Sequence, residues 1–136
     1  MKNVNLEVAK LAKEKGFNEK CFHYYIVDFN ADGIQIQHPT PIMDNPNILQ
    51  LSKASEKQLH IISAPYQSQL QTWLRDNHMI DIIGKLFNVK GKKMYAFDIC
   101  KNSIYIKCEK KDTYEEALDI SLLEALNLIK NDDLVI

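Results

Sequence analysis

"IDIIGKLFNVKGKKMYAFDICKNSIYIKCE", residues 80 to 109, decides the fold. Three runs rich in β-branched and aromatic residues are separated by two short polar breaks, which predicts three strands at about 80–87, 92–100 and 103–109. "NVKG" at 88–91 and the Lys101–Asn102 pair supply the turns. Strands joined this closely must run antiparallel, as a meander. Side chains alternate along a strand, so Ile80, Ile82, Gly84 and Leu86 share a face with Tyr95, Phe97 and Ile99, and with Ile104, Ile106 and Cys108. That face is apolar almost throughout and is expected to be core. The pattern sets only the parity of pairing. In the register adopted, Gly84 sits opposite Tyr95 and leaves room for its ring, and Asp81 falls nearly opposite Asp98.

Helices are expected on both sides of the meander. Before it, residues 64–77 place Tyr66, Leu70, Trp73, Leu74 and Asn77 on one face, with Ser63 as N-cap, Pro65 in the first turn and Asn77 as C-cap. After it, "TYEE" at 113–116 is a capping box, followed by the small-residue stripe Ala117, Ser121, Ala125, flanked by Tyr114, Leu118, Leu122, Leu128 and Ile129. Leu123 falls among Glu116, Asp119 and Asn127 on the polar side. Further out, residues 4–15 repeat Val4, Val8, Leu11 and Ala12 at helical spacing. Gly16 supplies a left-handed stop, and Phe17 can fold back in a Schellman motif.

Residues 21–28 and 34–38 read as two strands flanking "DFNADG" at 28–33. The hexapeptide matches the first half of a calcium loop, but the position that should hold a bidentate Glu is Pro39, and the flanks are strands rather than helices. Asn30, Asp32 and Gly33 suit a tight hairpin, and that is the reading adopted. Pro39, Pro41 and Pro46 predict a long connection over 39–62, with a short helical turn near Ile48–Leu51. The expected architecture is α+β, one domain over 1–136: an antiparallel sheet of about five strands with three helices packed mainly on one face, in the order α, β, β, α, β, β, β, α.

With 136 residues, 46% of them hydrophobic, the chain can bury a real core, and a net charge of −1 gives no global attraction to nucleic acid or anionic lipid. Charge is uneven along the chain. Residues 85–111 hold eight lysines against Asp98 and Glu109, while 112–136 hold seven acids against Lys130. The N-terminal stretch lacks the apolar run of a signal peptide, and no run is long enough to cross a membrane. Cys21, Cys100 and Cys108 are too few and wrongly spaced for a disulfide framework or a four-cysteine zinc site, so a reducing cytoplasm is expected. Cys21 and His23 share a strand face but find no second ligand pair. No phosphate loop, nucleophile elbow or HExxH motif occurs, and no cofactor is implied. His78 with Asp76 and Asp81 is the one acid–base cluster in sequence, at a helix-to-strand junction. Cys100 beside Asp98 is the one conceivable nucleophile.

"LAKEKGFNEKCFHYY" (11–25), "SAPYQSQLQTWLRDNHMIDI" (63–82) and "DTYEEALDISLLEALNLI" (112–129), in that order, resemble a family of small proteins encoded by phages and prophages of gut Bacteroidetes. The resemblance implies a phage accessory protein acting in the bacterial cytoplasm. The family has no assigned activity, so no catalytic residues carry over.

The functional expectation rests on the meander's second face, with Lys85, Phe87, Tyr105 and Lys107 as binding residues among Asp81, Ile83, Asp98 and Cys100. Such a mixture suits a protein partner. Lysines beside aromatic rings would alternatively suit single-stranded nucleic acid or a nucleotide. A small hydrolase or transferase with an unrecognised site is the third reading. Leu123 and the apolar end of "DDLVI" (132–136) are expected to contribute to a homodimer.

Overall fold

In the computed structural model, residues 2–28, 35–41 and 59–130 are described. The proposed turn within DFNADG, the helical turn near Ile48–Leu51 and the DDLVI terminus lie outside them. The element order is α1 (Leu6–Glu14), β1 (His23–Asp28), β2 (Gln35–Pro41), β3 (Leu59–Ser63), α2 (Gln67–His78), β4 (Ile80–Val89), β5 (Lys92–Lys101), β6 (Ile104–Lys107) and α3 (Tyr114–Asn127). The α+β class holds, but the single five-stranded sheet does not. Among the described residues, two separate three-stranded antiparallel sheets form, ordered β2-β1-β3 and β4-β5-β6. They belong to two compact units, divided at Tyr66–Gln67.

In the first unit, Asn5 caps α1 by accepting from the Val8 N–H at 2.9 Å. The helix stops as its sequence requires. Gly16 takes φ 98°, and the Phe17 N–H reaches back to the Ala12 carbonyl at 2.9 Å, with the Phe17 ring buried. The buried face is Val4, Leu6, Val8, Ala9 and Ala12, while Leu11 is half-buried. β1 is the central strand. Its partner β3 lay hidden in the region expected to be a connection. β2 runs through Pro39 and Pro41 against the expectation that they forbid a regular element. It is an edge strand, and Pro39 falls where the register shifts between Tyr24 and Ile26. Proline is tolerated in those two places because the missing N–H costs no ladder bond there. The strands that flank DFNADG are thus paired antiparallel, the opposite of the helices a calcium loop needs. The buried Tyr25 hydroxyl donates to the Val4 carbonyl at 2.6 Å, tying β1 to the entry of α1.

In the second unit, α2 begins at Gln67, later than expected. Ser63 closes β3 rather than capping the helix, and Tyr66 bridges to Asn3. Leu70, Trp73 and Leu74 are buried as expected. Asn77 does not cap the C-terminus. It lies inside the last turn, donating to the Trp73 carbonyl at 3.0 Å, and Met79 takes the left-handed position at φ 57°.

The meander's strands pair through two-residue turns. Lys90 and Gly91 have φ 53° and 83°, and Asn102 and Ser103 have φ 53° and 65°. Both are the twist-matched hairpin turns that need positive φ twice. The second turn is therefore Asn102–Ser103, one residue beyond the expected pair. The register is slipped by two from the one anticipated: Gly84 faces Phe97, Leu86 faces Tyr95, and Asp98 lies between Ile83 and Lys107. Parity survives, so Ile80, Ile82, Phe97 and Ile99 are buried on one face. That face is not core throughout, since Leu86 is 61% and Ile104 65% exposed. α3, with Thr113 Oγ1 accepting from the Glu116 N–H, buries Ala117, Leu118, Ser121, Leu122, Ala125 and Leu126. Asp119, expected on the polar side, is buried and accepts from Gln67 Nε2 at 3.0 Å. Leu123 is half-buried. No described helix is long and apolar enough to cross a membrane.

Candidate functional site

The meander's second face is built by alternation. Lys85 and Phe87 project from β4, Ala96 and Asp98 from β5, and Lys107 from β6. After β6 the chain stays beside β5. The Cys108 N–H donates to the Phe97 carbonyl, and Lys111 exchanges two backbone bonds with Tyr95. Lys107 opposes Asp98, whereas Lys111 opposes Tyr95, so the chain between them carries one residue too many and bulges. The bulge carries Lys110 back over the sheet, with Nζ 4.6 Å from the centre of the Phe87 ring. The result is a concavity of about 200 Å³ lined by Lys85, Phe87, Ala96, Asp98, Lys107, Cys108 and Lys110.

Asp98 forms its floor. The carboxylate is nearly buried, and Lys85 Nζ approaches Oδ2 to 2.6 Å, with the lysine about half exposed. A buried carboxylate needs such a partner, because desolvation without one costs several kcal/mol, of the order of 3–5. The expected face-off of Asp81 with Asp98 does not occur: Asp81 opposes Cys100, and its Oδ1 accepts from the Ile82 N–H. The lining groups that carry charge are three lysines and one aspartate, so the rim is cationic.

Three of the four expected binding residues, Lys85, Phe87 and Lys107, are gathered here. Tyr105 is on the same face but outside the concavity, 61% exposed and directly opposite Cys100. The hydrogen bond with the Cys100 thiol pushes its hydroxyl pKa up. Sequence reading missed Lys110 and the buried floor of Ala96 and Asp98. Strict alternation beyond Lys107 puts Lys110 on the opposite face, and only the bulge reverses it.

The other candidates disperse. Asp76 pairs with Arg75 at 3.6 Å, His78 packs edge-on against Trp73, and the Asp81 carboxylate accepts from the Ile82 N–H. Burial pushes the Cys21 thiol up to about 11, which keeps it protonated, and it donates to the Glu19 carbonyl. His23 instead meets Asn3 and the Tyr66 ring. Cys108 is also shifted up by burial, with Sγ 3.4 Å from Glu124 on α3. Among the described residues, no three His, Cys, Asp or Glu side chains gather closely enough to hold a metal ion.

The chain matches no protein-family model, no curated protein and no solved structure.

Proposed function

We propose that the protein is a non-enzymatic binding module, a phage accessory protein of the bacterial cytoplasm, whose outer meander face takes a protein segment combining acidic and apolar side chains. The observation that carries this reading is Lys110 seated over Phe87. A ring already covered by a cation is a poor platform for a nucleobase, and the Asp98 carboxylate on the floor repels phosphate. Lysines 107 and 110 at the rim suit carboxylates, while Ile83 and Tyr105, both exposed on the same face, suit apolar side chains. Nucleic-acid binding is the second reading, favoured only by the cationic rim.

A peptide array and a labelled single-stranded oligonucleotide separate the two. The module should select peptides with interleaved acidic and apolar residues, and Tyr105→Ala with Lys107→Ala should weaken that binding about tenfold or more. Oligonucleotide binding that is steep in salt and lost in the same double variant would replace this reading with the second.

A further inference from the structure

β4 is an edge strand of ten residues, and no described strand pairs with its second edge. The two-residue turn makes Val89 and Lys92 a hydrogen-bonded pair, so odd-numbered residues of β4 bond to β5 and even-numbered ones point away. Near the start of the strand the outward groups of Ile82 are satisfied. Gln71 Nε2 donates to the Ile82 carbonyl at 2.9 Å, and Asp81 Oδ1 accepts from the Ile82 N–H. Gly84, Leu86 and Asn88 then direct N–H and C=O outward, and no backbone partner is found for them among the described residues. Natural edges are usually blunted by charge, proline or a cover. This one carries exposed Ile83, Leu86 and Val89, and Lys85 is drawn onto Asp98.

We propose that β4 pairs antiparallel with β4 of a second copy of this chain, about a two-fold axis at Leu86. The strand is self-complementary in that register. Gly84 meets Asn88 of the second copy and Leu86 meets its own counterpart, so all three outward-facing residues exchange both backbone bonds. On the outer face, Ile83 meets Val89, apolar against apolar, and Lys85 meets Phe87, so that the lysine's aliphatic stem can pack beside the ring while its ammonium stays on Asp98. An axis at Lys85 would set lysine against lysine, and one at Phe87 would leave Ile83 against Gly91. On the inner face, Leu86 of the second copy reaches the groove lined by Gly84, Lys85, Leu86, Tyr95, Phe97 and Tyr114, a space of about 370 Å³. Gly84 has no side chain to close that groove toward the edge. A six-stranded sheet results, with two outer faces side by side. The dimer stands on the edge geometry and does not depend on what the outer face binds.

Sedimentation equilibrium of the full chain tests it. The parent should approach twice the monomer mass at about 100 μM and fall toward monomer on dilution. Leu86→Pro removes one outward N–H without touching a β4–β5 bond, and Leu86→Lys leaves the backbone intact while charging the edge. Each should raise the dissociation constant at least about tenfold, with the circular-dichroism spectrum unchanged. Leu86→Lys carries the test by itself if Leu86→Pro does not fold. In Leu86→Cys, a short thiol cross-linker should join two copies through residue 86, identified by peptide mapping. A parent that stays monomeric throughout, or variants that dimerise as the parent does, would overturn the proposal. A monomer whose edge instead takes up an extended peptide would do so as well.

Discussion

The two sheets of this protein have equal numbers of strands and were not equally legible. In β4-β5-β6 every strand pairs with its neighbour in sequence through a two-residue turn. In β2-β1-β3 the middle strand pairs with β3, some thirty residues along the chain: Tyr24 faces Ser63 and Asp28 faces Leu59. A locally closed hairpin announces itself by alternation interrupted by turn residues. A strand recruited from a distance shows only a short apolar run, here "LHIIS", which nothing nearby explains.

Three substitutions test that contrast. The largest effect is expected at Gly84, where the meander depends on packing rather than on turns. A Cβ there would lie 2.9 Å from Phe97 Cε1, and that ring is buried and packed edge-on against Tyr114. Gly84→Ala should cost about 1–3 kcal/mol in denaturant unfolding. An unchanged midpoint would mean the ring moves freely. In the first unit, Tyr25→Phe removes the hydroxyl that links β1 to Val4 and leaves the carbonyl without it. A loss of about 1–2 kcal/mol is expected, with faster hydrogen exchange at the β1–β3 ladder than in the meander. Equal acceleration in both sheets would contradict the contrast. The smallest effect is a gain. Ser103 holds φ 65° in the second turn, and Ser103→Gly creates Asn-Gly, the pair this turn prefers. Stability should rise by up to about 1 kcal/mol, provided the freer unfolded chain does not offset it. A fall would show that the Ser103 side chain matters to the turn.

The candidate site divides along the same line. Lys85, Phe87 and Lys107 were legible together because side-chain alternation alone places them on one face. Lys110 was not, because the bulge that swings it over Phe87 is set by the return of Lys111 to Tyr95. Tyr105 was assigned to the right face but not to its neighbour, since Cys100 comes opposite it only in the slipped register. Asp98 shows the cost of that slip most plainly. One register makes it a repulsive neighbour of Asp81, and the observed one makes it the buried partner of Lys85.

What the sequence by itself determined is whatever a few adjacent residues can enforce. The Gly16 stop with Phe17 folded back, the Thr113 cap, the Lys90–Gly91 turn and the parity of the three-strand meander all follow from backbone sterics and local hydrogen bonds. Tertiary structure decided how far each strand slid, which run paired with β1, and which of the two meander faces closed over Asp98. Those choices compare whole arrangements whose local energies are nearly equal, so they are made by burial and by contacts between residues distant in the chain.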